Sequence, residues 1–432
     1  MEIINTVLSG YIMPLMLMGA GVYFGWRMKF FYLFHPIRFI KSLSENRGKS
    51  GISPFRALTE ALAGTLGVGN MTGVATAICA GGSGALFWMW VSAFFAMSIK
   101  YFEVALGVRY RRREKDGYAG GAMYYIKDML SKRSSGAGGF FGSFFAFLCI
   151  GNSLLTGNIV QMNSAAAAAD SFPPLLLGGI CAVLSLPVVL GKAKKISAVT
   201  SFLIPFLSGL YIVLSLIVII PSIDRLPAVG TDILKNAFSV RAAGGGIGGF
   251  LIMRAIRFGT TRGILSNEAG SGTSPTAHAG ADAKSPHHQG CFGIFEVFFD
   301  TTVLCTLTGA VILLSDGCQR GYDGMELTVY SFSSQAGSFA GVAVSISALL
   351  FAYATVICQT GYGLAAVRFL SRKKWAGYVY IFLSLASTVL GTVIEEGIMW
   401  QWADLFVALM TVINVCCLFY GERRGELSAL LL

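Results

Sequence analysis

The sequence predicts an all-α polytopic membrane protein, and three observations carry that expectation. Of 432 residues, 54% are hydrophobic and only 13% are charged, where a soluble chain of this size carries about 25% charged residues. The mean hydropathy is +0.66. Apolar runs near the roughly 20 residues that cross a bilayer as a helix recur along the whole chain.

Taken in order, eleven spans are expected, near 6–26, 57–79, 84–107, 140–165, 175–191, 197–221, 243–264, 290–314, 336–365, 375–393 and 400–420. The first run lacks a basic leader and passes directly into a basic, aromatic loop, so it reads as a retained span and not a cleaved signal. Charge placement sets the direction. With the N-terminus outside, 26 of the 33 Lys and Arg residues fall in inside loops and the tail, and only Arg225, Lys235, Arg241 and Arg320 fall outside. Cytoplasmic loops attract Lys and Arg, so the expected topology is N-out and C-in. The net charge of +11 is then a topological signal, and no nucleic-acid partner is implied.

The second span is the unusual one. Between Glu60 and Thr76 it carries Gly64, Gly67, Gly69 and Gly73 together with Thr65, Asn70 and Thr72. Each Gly lowers helix stability by about 1 kcal/mol relative to Ala, so the helix is expected to open here. Freed amides and carbonyls survive in a bilayer only where protein or a polar cavity satisfies them. The seventh span, five spans later, is also rich in glycine and charge, from Gly244 through Arg254, Arg257 and Gly259 to Gly263. Two interrupted spans in corresponding positions point to an inverted-repeat transporter with a midplane site. The chain then divides into an N-terminal helix and basic loop (1–54), a first five-helix repeat (55–222) and a second repeat with a short tail (223–432). The competing reading, that glycines allow close helix packing, is expected to hold at Gly73 and Gly248.

An opened helix offers specific chemistry. Amides at the start of its second half, on Gly67, Val68, Gly69 and Asn70, present donors and a positive dipole end to a carboxylate. Carbonyls at the end of its first half face a cation, and a neutral oxygen cluster suits a hard ion such as Na⁺.

Three stretches resemble the sodium:alanine/glycine symporter family of the amino acid–polyamine–organocation superfamily. They are Gly67–Ile78 continuing to Gly81–Trp90, Gly157–Gln161, and Ile256–Ala279 continuing through Gln289, Asp300 and Cys305. The resemblance covers nearly the whole chain and implies a LeuT-like 5+5 inverted repeat behind one extra helix. It also implies Na⁺-coupled import of small neutral amino acids across a bacterial cell (cytoplasmic) membrane. By that likeness Val68 and Gly69 hold the substrate carboxylate. The sodium ligands are the carbonyls of Ala63, Leu66 and Phe351 and the hydroxyl of Thr355, which is also placed in the substrate set with Gln161 and Gln359. Without the likeness, Thr355 would bond back to Phe351 and Gln161 would make an ordinary interhelical hydrogen bond. Three positions depart from the family pattern: Val68 stands where Thr is common, Ala354 where a hydroxyl is usual, and Gln359 where a bulky Trp is usual. The shorter amide at Gln359 would enlarge the pocket and suit a side chain larger or more polar than that of alanine, such as glutamine's.

Intramembrane charges are costly and normally face protein. Arg257 and Arg262 are expected to pair with Glu268, Asp300 or Glu296, and Arg254 with an acid. Glu60 and Glu103 are placed near span ends, facing headgroups or loops, and His278 is read as structural. The nine cysteines contain no CxxC pair and suggest neither zinc nor a disulfide framework. No Ser with a plausible base and no metal spacing argue for an enzyme, and the 244–249 glycines lack the βαβ setting of a dinucleotide site. The expected function is Na⁺-coupled symport by alternating access, with no organic cofactor. The alternatives are a proton-coupled or uncoupled carrier and, from another class, an ion channel.

Overall fold

The computed structural model describes residues 5, 7–44, 52–114, 117–169, 172–238, 247–394 and 396–430. Seven of its helices are long and apolar enough to cross a membrane, or eight when the bent pair α3–α4 is counted as one span. These are α1 (Leu8–Arg27), α3 (Pro54–Thr65) with α4 (Gly69–Gly81), α5 (Gly84–Arg109), α7 (Ser135–Ala168), the run that opens with α9 (Lys192–Ile219), α13 (Pro286–Leu313), α15 (Ser338–Leu370) and α17 (Glu396–Arg423). The expected fifth, seventh and tenth crossings fall on α8 (Pro174–Leu190), α11 (Ile247–Asn267) and α16 (Lys374–Gly391), which are shorter or more polar than the rest. Among the other helices, in connections, are α2 (Pro36–Ser44), α6 (Ala122–Ser131), α10 (Leu226–Phe238), α12 (Pro275–Ala279) and α14 (Gly324–Ala336). A single hairpin, Arg112–Glu114 with Gly117–Ala119, is the only sheet among the described residues.

The second span breaks where the glycines predict. Ser53 caps α3 by accepting from the Arg56 amide, and Pro54 follows at the first turn, where its missing N–H costs nothing. The helix ends at Leu66, and α4 leaves at 45° to it. The seventh span also breaks, but not among its glycines. Gly244–Gly246 lie outside the described residues, and α11 runs unbroken from Ile247 through Gly263 to Asn267. A Cβ at Gly259 would collide with the Ala85 carbonyl, and one at Gly263 with the Ser92 hydroxyl. These glycines therefore let α11 lie close on α5, the packing reading. Gly73 reverses the expectation, because a Cβ there would meet nothing nearer than Arg262 Cδ at 4.0 Å.

The actual opening is Glu268–Ser274, between α11 and α12. Glu268, Gly270 and Gly272 all take positive φ (50°, 88° and 77°), a conformation cheap for glycine and costly for glutamate. Protein groups satisfy the opened backbone: Asn267 Oδ1 accepts from the Ala269 amide at 3.0 Å, Glu103 from the Gly272 amide at 3.0 Å, and Asn414 donates to the Gly270 carbonyl at 2.8 Å. Glu103 is thus fully buried on α5 and serves the break, instead of facing a loop. Glu60 is buried as well, beside α15, where the Cys358 thiol donates to its carbonyl.

A disulfide joins Cys79, near the end of α4, to Cys318 beyond α13, with Cα atoms 5.7 Å apart. The sequence hid it because the two cysteines are 239 residues apart and belong to no spaced pattern.

Candidate functional site

The break in α3–α4 redirects its own hydrogen bonds. The Leu66 amide makes the last helical bond, to Leu62. In a continuing helix the Gly67 amide would reach Ala63; it donates instead to the Thr65 carbonyl at 2.8 Å. The Val68 amide would reach Gly64; it donates to the side-chain oxygen of Gln161 at 3.0 Å. The Gly64 carbonyl in turn accepts from Gln359 Nε2 at 3.2 Å. Side chains on α7 and α15 have taken the partners that the helix gave up.

Gly67 is where these groups converge. A Cβ there would fall on the Gln161 amide and lie 2.9 Å from Thr355 Oγ1. Only glycine lets α7 and α15 close on the break from both sides. Thr355 Oγ1 donates to the Phe351 carbonyl at 3.1 Å, the back-bond expected of a membrane threonine, while its oxygen faces Gly67. Gln161 follows a π-helical stretch, Leu155–Val160, that offsets the register of α7; such bulges recur at functional sites. Within it, a Cβ on Gly157 would overlap the Gln359 side chain, so this glycine makes room for Gln359.

Gln359 bridges the two breaks, because its Nε2 also donates to Glu268 Oε1 at 3.0 Å. Glu268 Oε2 accepts from Thr273 at 2.5 Å. Gln359 Oε1 is buried without a hydrogen-bond partner. The structure thus brings Ala63, Leu66, Gly67, Val68, Gln161, Phe351, Thr355 and Gln359 to one place; Gly69 begins α4 beside them. A narrow cavity of about 10 Å³, bordered by Leu66, Gly67, Asn70, Tyr211 and Phe351, opens at the same point.

The Asn70 side chain faces the other way. Its Nδ2 donates to Asp300 Oδ1 at 2.9 Å, and its Oδ1 is buried without a partner. Asp300 sits in a second π-helical stretch, Phe298–Cys305, and accepts from Ser266 at 2.7 Å and Thr301 at 2.8 Å. Among the described residues no cation pairs with it. The two arginines expected to pair with Glu268, Asp300 or Glu296 lie over aromatic rings instead, Arg257 over Tyr11 at 5.0 Å and Arg262 over Trp400 at 5.5 Å, and the Arg254 guanidinium lies 6.0 Å from the Phe258 ring centre. Glu296 is also taken, by Lys100 at 3.3 Å and by His278 Nε2 at 3.1 Å. Gln289 donates to His278 Nδ1 at 2.7 Å, which leaves the ring proton on Nε2 for Glu296. Ser266 and Thr301 were not singled out from sequence; the one signal available was an acid, Asp300, in an apolar span.

The sequence matches the sodium:alanine symporter family over residues 1–422. The "Probable sodium/glutamine symporter GlnT" of Bacillus subtilis (strain 168) is 35% identical over 424 residues, 96% of this chain and 87% of that protein. The "Sodium/alanine symporter AgcS" of Methanococcus maripaludis is 35% identical over 438 residues, 96% of this chain and 93% of that protein. Among solved structures, a Na⁺-coupled sialic acid symporter is alike in fold, with a TM-score of 0.52 at 12% identity, covering 99% of this chain and 86% of that one.

Proposed function

The chain belongs to the sodium:alanine symporter family, and from that premise we propose that it takes up a neutral amino acid with Na⁺ by alternating access. The observation that carries this reading is the hydrogen bond from the Val68 amide to Gln161 Oε1. It marks a buried backbone donor, at the head of a half-helix, already aimed at an acceptor oxygen. A substrate carboxylate would replace the Gln161 oxygen there and gain a full charge against the dipole end. The local cavity has room for about one water. Entry of an amino acid therefore requires Gln161 to release the amide, which ties binding to movement of α3–α4 against α7.

Sodium is cargo in this scheme. The Ala63 carbonyl, released from the helix ladder when Gly67 turns to Thr65, supplies one hard oxygen. Leu66 and Phe351 supply further carbonyls, and Thr355 Oγ1, facing Gly67, supplies the hydroxyl. The set is neutral and all oxygen, which suits a monovalent ion. Ala354 offers no second hydroxyl.

The relatives' names do not choose between alanine and glutamine, at 35% identity each; Gln359 supports glutamine. Its buried, unpartnered Oε1 is an acceptor waiting for a donor, and leaving it so costs about 1–3 kcal/mol. The side-chain amide of glutamine would satisfy it; a methyl group would not. Competition of labelled uptake by an amino acid panel tests this. Glutamine should compete best, and Gln359→Trp should shift preference toward alanine and glycine. Unchanged selectivity removes Gln359 from the side-chain pocket.

Asp300 with Asn70 favours a second reading of the coupling. An unpaired buried carboxylate with an unpartnered amide oxygen beside it would be balanced by a second cation, sodium or a proton. Uptake driven by acid outside in the absence of Na⁺ would identify the proton. The proposed arrangement is one N-terminal helix followed by repeats over 55–222 and 223–432. It has eleven crossings, with the N-terminus outside and the C-terminus inside the cell membrane.

A further inference from the structure

We propose that the inner end of α1 carries a binding site for one anionic phospholipid. The chain turns sharply there, with Lys29 and Phe30 at φ 53° and 42°. Gly25 makes the turn possible, since a Cβ on it would enter the Phe30 ring. Phe30 stacks on Phe94 with ring centres 5.4 Å apart, and the Tyr32 hydroxyl donates to the Phe94 carbonyl at 3.0 Å. α5 therefore holds the floor of the turn. Above it lies an open cleft of about 450 Å³, lined by Trp26, Lys29, Phe30, Phe34 and His35. Aromatic walls with a lysine and a histidine among them offer an apolar slot and a cationic contact together.

The neighbouring helix α2 extends the same chemistry. It buries no residue completely; Phe39 and Leu43 lean on the core, while Ile37 is 81% and Ile40 62% exposed. Arg38 and Lys41 flank the exposed apolar pair. Such a helix lies in a membrane interface with its apolar side among acyl chains and its cations at the headgroups. Lys29, Arg38 and Lys41 have no acidic partner among the described residues, whereas Arg27, next to the cleft, is taken by Glu422 and Ser428. The loop 26–56 holds seven Lys and Arg residues against one acid, Glu45. That imbalance selects an anionic occupant, and the exposed indole and phenyl rings select one with acyl chains. Free phosphate has the charge without the chains, and a neutral lipid has the chains without the charge. Placing the cleft in the cytoplasmic leaflet rests on the orientation proposed above; binding in detergent does not.

The test uses full-length protein in an uncharged detergent, titrated with phosphatidylglycerol, phosphatidylcholine or inorganic phosphate, and read by native mass spectrometry and thermal unfolding. Phosphatidylglycerol should remain bound and raise Tm, and the other two should not. The triple variant Lys29→Gln/Arg38→Gln/Lys41→Gln should bind phosphatidylglycerol roughly a hundredfold more weakly, with its Tm in phosphatidylcholine unchanged. Lys29→Arg/Lys41→Arg should retain binding and serves if the triple variant does not fold. Equal binding by the wild type and the triple variant, equal responses to both lipids, or a dimer that buries this face regardless of lipid would each overturn the proposal.

Discussion

At the scale of single residues, Gly67 decides the most. Its missing Cβ is the space in which the Gln161 amide and the Thr355 hydroxyl meet the break. Gly67→Ala would push Gln161 off the Val68 amide and crowd Thr355. Displacements of about 1 Å at a reacting or binding centre can cost a hundredfold, so uptake should fall by about that factor while purified protein stays folded by circular dichroism. The sequence exposed this residue, because four glycines beside Thr and Asn in an apolar run have few explanations. It did not expose what Gln161 and Gln359 touch. Their partners are released backbone groups on another helix, and which groups are released depends on where α3 ends to within one residue.

At the scale of elements, the two broken spans are held open differently. The first uses side chains of α7 and α15; the second uses Glu103 on α5 and Asn414 on α17. Glu103→Ala would strand the buried Gly272 amide and remove the acceptor to which Asn414 Nδ2 also donates, at a cost of about 1–3 kcal/mol. Glu103→Gln keeps an acceptor there and should recover most of that loss; a detergent melting series on both variants measures it. The second break was legible only as an approximate location. Glycine density drew it to 244–263, yet Gly259 and Gly263 are packing surfaces and the chain opens at Glu268–Ser274. Period and composition do not tell a glycine that lets helices touch from one that lets a helix open. The acids were misplaced for a related reason: α5 stays buried to its final turn, so nearness to a span end said nothing about exposure. The disulfide belongs to this scale too. Nine cysteines with one bond leave seven free thiols, so alkylation of denatured protein should add seven groups before reduction and nine after. Nine before reduction would remove the tether between α4 and the segment after α13.

At the scale of the whole molecule, sequence alone carried the class, the direction of the charges and the resemblance, because these sum weak signals over 432 residues. The disulfide adds a constraint of its own. Such bonds persist on an oxidising side of a membrane, and the proposed N-out orientation would place Cys79 and Cys318 there. The proposed sodium site consists of the oxygens freed at the α3–α4 break together with Thr355. It is tested most directly by the Na⁺ dependence of labelled glutamine and alanine uptake into proteoliposomes, wild type against Thr355→Ala. Wild type should accumulate substrate saturably only under an inward Na⁺ gradient, and Thr355→Ala should need roughly tenfold more Na⁺ for half-maximal uptake, a loss of about 1.4 kcal/mol. Uptake by wild type without Na⁺, or an identical Na⁺ requirement in the variant, would contradict the account.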